Sequence, residues 1–108
     1  MVGTPLEKFT DRQGVIDDVE AEARLWSKNV DALLRAFRRG SGTAAKLASR
    51  MEALRNKRDT VETKVEALKR HRESGWSEAH REFLDARREL RDSWRTVISA
   101  LDRESPAV

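Results

Sequence analysis

The sequence predicts an all-α protein whose three helical segments form an antiparallel three-helix bundle or coiled coil. Three observations support this prediction. Apolar residues recur at alternating intervals of three and four, which keeps them on one face of a helix and would scatter them over both faces of a sheet. Alanine, leucine, arginine and glutamate dominate the middle of the chain, as they do in long helices. Glycine and proline, which interrupt helices, number only five and two in 108 residues.

The first predicted helix spans approximately residues 13–39. Its ladder of apolar residues runs Ile16, Val19, Ala23, Trp26, Val30, Leu33 and Phe37. Asp31 precedes Arg35 by one helical turn, so the two would form an ion pair on the outer face of this helix. Residues 1–12 are expected to form a flexible N-terminal arm, because their glycine and proline discourage regular structure and chain ends without a packed partner are mobile.

The second predicted helix spans approximately residues 43–72 and has a leaner ladder. Its apolar members are Leu47, Met51, Leu54, Val61, Val65 and Leu68. Arg58 occupies the step between Leu54 and Val61. We interpret Arg58 as lying at the solvated edge of the stripe; the alternative is a cation inside the stripe that fixes the helix register at some cost in stability.

The third predicted helix, approximately residues 76–103, has the strongest pattern. Its ladder consists of Trp76, His80, Phe83, Arg87, Leu90, Trp94, Val97 and Leu101. Such a stripe must be covered by other helices to be stable. Pro106 then stops the helix, so residues 104–108 would form a tail and residues 13–103 the single helical domain.

Two glycine-containing stretches separate the helices, and the first is ambiguous. Gly40-Ser41-Gly42 would break a helix, since each glycine costs about 1 kcal/mol relative to alanine. However, the apolar ladder passes through it without losing phase, which leaves open an alternative fold: one long helix plus a shorter one folded back, stable only as a dimer. Ser74-Gly75 is expected to be a tight connection, with Gly75 as a left-handed cap.

The expected core is drawn from all three ladders. It consists of Ile16, Val19, Trp26, Val30, Leu33, Phe37, Leu47, Met51, Leu54, Val61, Val65, Leu68, Trp76, Phe83, Leu90, Trp94, Val97 and Leu101. Six large members of this set would form the core seam or the contact with a partner helix: Trp26, Phe37, Trp76, Phe83, Leu90 and Trp94.

Composition narrows the class of protein further. The chain has no cysteine, which excludes disulfides and thiol chemistry, and charged residues make up 38% of it. No apolar run approaches the roughly 18 residues that span a bilayer, and no secretory signal is recognisable, so the expected location is the cytoplasm. A membrane-surface role is not favoured, because the tryptophans fall in ladders better explained as a core.

Catalysis and cofactor binding find no support in the residue pattern. His71 and His80 are the only histidines and stand too far apart for a helical metal pair. The carboxylates all lie on charged helix faces, with no pattern that would separate their pKa values for acid–base work. We therefore expect no enzyme activity, no metal, no cofactor and no small-molecule substrate.

Nucleic-acid binding is the alternative function that the sequence supports best. The net charge of +3 is modest, but two basic clusters each close a helix. Under this alternative the residues in contact with phosphate would be Arg35, Arg38, Arg39, Lys69, Arg70 and Arg72. Both clusters are also explained by favourable interaction with the helix dipole, so this function is not favoured.

Four short stretches resemble a group of small bacterial coiled-coil proteins, some stress-associated, whose biochemical role is undefined. The stretches are Leu25-Trp26, Leu54-Arg55-Asn56-Lys57-Arg58-Asp59, Ser74-Gly75-Trp76 and Asp92-Ser93-Trp94-Arg95. The resemblance covers roughly residues 19–101 and implies a helical, self-associating, non-enzymatic protein. Together with the ladders, it leads us to expect a structural or protein-interaction protein that acts as a homo-oligomer, such as a dimer, or through a partner helix.

Overall fold

Three helices make up the part of the chain that the structure describes. The structure is a computed structural model, which describes the backbone of residues 5–39 and 45–104 and the side chains of residues 11–37 and 47–102. Helix α1 spans Pro5–Arg39, α2 spans Ala45–Arg70 and α3 spans Trp76–Glu104. Within these ranges no strand occurs, and the prediction of an all-α protein is confirmed.

Helices α2 and α3 pack antiparallel along most of their length. Lys57 Nζ lies 3.0 Å from Glu89 Oε1, and Lys64 Nζ lies 2.8 Å from Glu82 Oε1. One heptad forward on α2 is thus matched by one heptad back on α3. This register fixes the direction of the hairpin.

Helix α1 also packs antiparallel against α2. Asp31 pairs with Arg58, and Glu20 pairs with Lys69 farther along. The chain therefore reverses direction between Arg39 and Ala45, and the alternative of one continuous helix through both segments is wrong. Gly40-Ser41-Gly42 itself lies outside the described residues.

The bundle is asymmetric, because α2 is closer to each of the other helices than they are to each other. In the described ranges, no Cα of α1 comes within 8 Å of a Cα of α3. These two helices run parallel and meet only through long side chains, such as Glu22 with Arg87. The molecule is correspondingly elongated, at 62 × 23 × 18 Å, and one side of it is left more open than the others.

Helix α1 begins earlier than the sequence led us to expect. Its first residue is Pro5, whereas the predicted start was near residue 13, so residues 5–12 of the expected flexible arm are helical. The flexibility of the arm stays a prediction. Proline is well suited to the first position of a helix, since it lacks only an N–H that would have no helical partner there. Gly14 lies inside the helix and does not end it. The other helix boundaries differ from the predicted ones by at most two residues where the structure describes them, a difference typical of fraying ends.

The core follows the ladder of α2 position by position. All six of its apolar members are buried, and with residues of α1 and α3 they form one cluster. The fully buried large side chains are Leu47, Leu54, Leu68, Phe83, Leu90, Val30, Val61 and Val97. The predicted core residues Trp26, Leu33, Phe37, Trp76, Trp94 and Leu101 are only partly buried and pack against the edge of the cluster.

Alanines complete the core of α3, which the ladder did not predict. Ala79, Ala86 and Ala100 are buried, whereas Trp94 and Leu101 are half-buried. The alanines lie on the flank of α3 that faces α2. On one side of them is the column of Phe83, Leu90 and Val97, which follow one another every seven residues along the helix and are buried. On the other side are the glutamates that bind lysines of α2. Small side chains allow two helices to approach closely. The close packing of α2 and α3 therefore explains the burial of the alanines.

Gly75 joins the hairpin through a left-handed backbone conformation, with φ of +79°. The predicted left-handed geometry is confirmed, but the residue caps α3 rather than α2. Its carbonyl oxygen accepts a hydrogen bond from the Ala79 N–H at 3.1 Å, the first bond of α3. Helix α2 has already ended, and His71 Nδ1 lies 3.1 Å from the Ser74 carbonyl oxygen within the connection.

Candidate interaction face

The open side of the bundle is lined by a pair of tryptophans. Trp26 of α1 and Trp94 of α3 meet edge to face, with ring centroids 5.7 Å apart and ring planes at 76°. Both side chains are half-buried. The edge-to-face geometry is a favourable one for aromatic pairs. The two indoles bridge helices whose backbones are too far apart for smaller side chains to meet.

Beside this pair lies a cleft with an exposed leucine. The cleft has a volume of about 250 Å³ and is lined by Glu22, Leu25, Trp26, Asn29 and Trp94. Leu25 is 59% exposed and is the large apolar side chain most open to solvent in the described part of the chain. Leu25 lies next to Trp26 on α1 but points outward. Packing within the single chain therefore does not explain why position 25 is apolar.

The apolar surface continues toward the C-terminal ends of α1 and α3. Leu33 lies two turns beyond Trp26, while Ile98 and Leu101 lie one and two turns beyond Trp94; all three are half-buried. We call this surface the α1–α3 face and define it by Leu25, Trp26, Leu33, Trp94, Ile98 and Leu101. It is long enough to hold about two helical turns, or roughly 12 Å.

Glu22 holds the upstream end of the face in place. Its Oε1 accepts a hydrogen bond from Arg87 Nη1 at 3.0 Å, and its Oε2 accepts one from Trp26 Nε1 at 3.3 Å. The guanidinium carbon of Arg87 in turn lies 5.6 Å from the centroid of the Phe83 ring. One carboxylate thereby orients the indole of α1 and links α1 to α3.

Basic side chains border the face on both helices. Lys28 lies on the side of α1 next to Leu25, and Arg91 lies between Leu84 and Ile98 on α3; both cations are exposed. Arg35 lies toward α2 instead, beside Asp31 and Arg58. The adjoining column of α3 carries Arg88 and Arg95, followed by Asp102. The acidic side chains of α3 lie mainly on the opposite flank, where Glu82 and Glu89 bind α2. Asp18, one heptad before Leu25, is an exposed carboxylate at the upstream end of the face. The rest of the rim is mainly positively charged.

Arg58 forms a separate polar site between α1 and α2. Its side chain is only 12% exposed, so its placement at a solvated edge is wrong. Burial opposes its charge, but hydrogen bonds to Asp31 and Asp59 outweigh this effect and raise the pKa of the guanidinium. Nη1 also lies 3.5 Å from Ser27 Oγ. Nε donates to Asp59 Oδ1 at 2.8 Å and Nη1 donates to Asp31 Oδ1, and this arrangement favours a role in setting register.

Trp76 lies at the other end of the bundle from the tryptophan pair. It stacks on His80 with centroids 5.7 Å apart, and the Arg12 guanidinium carbon lies 5.6 Å from its ring centroid. Eighteen residues of helix separate it from Trp94, or about 27 Å. The three indoles therefore do not form one site.

The two predicted phosphate-binding clusters also lie at opposite ends of the bundle. Arg35 is near the end of α1, while Lys69, Arg70 and Arg72 are near the end of α2; the side chains of Arg38 and Arg39 lie outside the described residues. Lys69 binds Glu20 and Glu66, and hydrogen bonds to these carboxylates raise its pKa. Because α1 and α2 are antiparallel, the two clusters do not merge into one basic surface.

Arg72 is held by polar contacts with α1. Its side chain donates to Gln13 Oε1, and its carbonyl oxygen accepts from Arg12 Nη1 at 2.7 Å. These contacts fasten the connection between α2 and α3 to the third turn of α1.

The six large residues singled out from the sequence divide into two groups. Phe83 and Leu90 are almost fully buried and can serve only the core. Trp26, Phe37, Trp76 and Trp94 are half-buried, and Trp26 and Trp94 belong to the α1–α3 face. Sequence reasoning missed Leu25 and Ile98 as surface residues. The sequence did contain an indication, because each is a large apolar residue that does not belong to the apolar ladder of its own helix.

Other kinds of site are not evident in the described parts of the chain. No group of three or more histidine, aspartate or glutamate side chains is arranged to hold a metal ion there, and the buried side chains there include none that are polar or charged. None of the helices, over the residues searched, combines the length and apolar character needed to cross a bilayer.

Comparisons of the chain with protein-family models, curated proteins and solved structures found no match. The α1–α3 face is therefore interpreted from its geometry and chemistry alone.

Proposed function

We propose that this protein is a non-catalytic interaction protein that binds another helix on its α1–α3 face. The partner is either a second copy of the chain or a different protein. The observation that carries the proposal is Leu25, which is 59% exposed beside the half-buried pair of Trp26 and Trp94. A large apolar side chain at the edge of a cleft is a common feature of surfaces that bind other proteins.

The packing of the bundle supports a helix as the bound element. Helices α1 and α3 run parallel and are separated on this side, whereas α2 fills the opposite side and is antiparallel to both. A helix laid along the face would stand in the same relation to α1 and α3 as α2 does, and would complete a four-helix bundle. It would bury its apolar positions at intervals of three, four and seven against the tryptophans.

Two measurements test the proposal. Sedimentation velocity over a wide range of protein concentration detects self-association, and tryptophan fluorescence detects binding of an amphipathic helical peptide. We expect at least one of them to be positive, and Leu25→Glu to abolish it because a charge would replace the exposed anchor. The matched control is Ala53→Glu, which places the same charge on an exposed position of α2. Absence of both self-association and peptide binding would refute the proposal.

Nucleic-acid binding remains the second prediction from the sequence. The separation of its two basic clusters gives it no additional support. A mobility-shift experiment at about 50 mM salt tests it directly, because phosphate contacts weaken steeply as salt rises. The bacterial, stress-associated resemblance and the cytoplasmic location likewise stay predictions.

A further inference from the structure

We infer that the occupant of the α1–α3 face is an acidic amphipathic helix of another protein. This inference rests on the proposed function and adds the identity of the partner class. Its basis is the distribution of charge around the face. Four exposed cations border it: Lys28, Arg88, Arg91 and Arg95. The exposed carboxylates beside it are Asp18, one heptad before Leu25, and Asp102.

The floor and the rim of the face make different demands on a partner. The floor, centred on Leu25 and the tryptophan pair, offers no free charge, since Glu22 already binds Arg87 and Trp26. It would accept an apolar stripe. The rim would place its cations beside the flanks of the bound helix, where carboxylates would be attracted and lysines repelled.

The same charges argue against a second copy as the occupant. In a symmetric dimer the face would meet itself, which brings the basic rim of one chain against that of the other. Like charges at such a contact are unfavourable. Arg88 is partly compensated by Asp85, 3.4 Å away, but Arg91 and Lys28 form no described ion pair. An acidic partner removes this repulsion and a second copy adds to it.

Three peptides of about 18 residues test the inference on the full chain. They share one apolar stripe and differ only in the polar face, which carries mainly glutamate, serine or lysine. Binding is measured by tryptophan fluorescence and calorimetry at about 50 and 300 mM salt. We expect the acidic peptide to bind at least about tenfold more tightly than the serine peptide, the lysine peptide to bind most weakly, and the differences to shrink at higher salt.

Variants separate charge selection from the apolar contact. The double variant Arg91→Glu, Arg95→Glu should lower the affinity for the acidic peptide by about tenfold while leaving the serine peptide unaffected. Both positions are exposed, so the variant should fold normally; a thermal melt checks this. Arg50→Glu, at an exposed position on α2, is the control and should change neither affinity. Leu25→Glu should abolish binding of all three peptides.

The outcomes distinguish this inference from the proposed function. Equal affinity for the three peptides would overturn the acidic preference and leave the proposed function standing. Self-association that is lost in Leu25→Glu would identify a second copy of the chain as the occupant. It would overturn the inference of an acidic partner and leave the proposed function standing. Duplex DNA that binds regardless of Leu25→Glu, in the absence of peptide binding, would overturn both. Preference for the acidic peptide that is lost in the arginine variant would support both.

Discussion

Arg58 of α2 donates a hydrogen bond from Nη1 to Oδ1 of Asp31 in α1, across 2.5 Å. Arg58 stands in a column whose neighbours, Leu54 and Val61, are buried. The guanidinium keeps its charge next to these apolar neighbours because Asp31 and Asp59 accept its hydrogen bonds. A shift of α1 along α2 by one heptad would remove Asp31 and leave the cation short of a partner. The pair therefore favours one register over its neighbours.

The first prediction concerns the coupling between Asp31 and Arg58. Arg58→Ala should lower the free energy of unfolding by about 2 kcal/mol, because it removes hydrogen bonds to charged groups together with the packing of the side-chain stem. Asp31→Ala should cost about 1 kcal/mol. The double variant should show a coupling of about 1 kcal/mol in urea unfolding. Strictly additive effects would contradict the contact. Asp18→Ala, at an exposed position elsewhere on α1, is the control for loss of a surface carboxylate.

This contact also shows what sequence reasoning could not supply. The spacing of Asp31 and Arg35 predicted an ion pair within α1, but Asp31 binds Arg58 of α2 instead, and Arg35 Nε lies 3.4 Å from the Asp31 carbonyl oxygen. A sequence reports which charges are neighbours on one helix. The choice of an interhelical partner depends on how the helices are aligned, and this is known only once they are packed.

The second prediction tests the alanines between α2 and α3. Ala86→Leu should lower the free energy of unfolding by about 1–3 kcal/mol, because the added atoms would enter a close helix–helix contact. Ala53→Leu makes the same change on the exposed surface of α2 and should alter stability by less than about 0.5 kcal/mol. Thermal and urea unfolding measure both variants. Equal effects would mean that the column of Ala86 does not face α2 closely.

The alanines also explain why one helix was predicted better than another. The ladder of α2 has large apolar residues on a single pair of columns, so its buried face could be read from the sequence. In α3 the column of Phe83 is flanked on one side by Trp94 and Leu101 and on the other by alanines. From the sequence, the side with Trp94 and Leu101 was predicted to be buried, because its side chains are larger than alanine. The alanine side is buried, because close approach to α2 requires small residues, and the larger side chains bridge the wider gap to α1.

The third prediction is that alanine substitutions at two glycines change the free energy of unfolding in opposite directions. Gly14→Ala should raise the free energy of unfolding by about 0.5–1 kcal/mol, because Gly14 lies inside α1 and an added Cβ would meet nothing within 4 Å. Gly75→Ala should lower it by about 1–2 kcal/mol. Its φ of +79° disfavours any side chain, and a Cβ there would lie 3.1 Å from His71 Nδ1. Urea unfolding of the two variants decides the matter, and a shift of the same sign in both would contradict the assignment of these backbone conformations.

The last prediction concerns acid unfolding and the pair of Lys64 and Glu82. The hydrogen bond from Lys64, and then its charge, lower the pKa of Glu82. Its pKa in the folded protein is thus below the ordinary glutamate value of about 4.3. The stabilisation from this pair is therefore fully present above that value and is lost as the pH falls through the folded pKa. Glu82→Gln should reduce the urea midpoint at neutral pH, and the difference from the parent protein should shrink as the pH falls below the ordinary glutamate pKa and through the lowered pKa of folded Glu82. Glu52→Gln, at an exposed position on α2, controls for the loss of a carboxylate as such. A difference that persists at the lowest pH would mean that the pair stabilises the hairpin by something other than its charge.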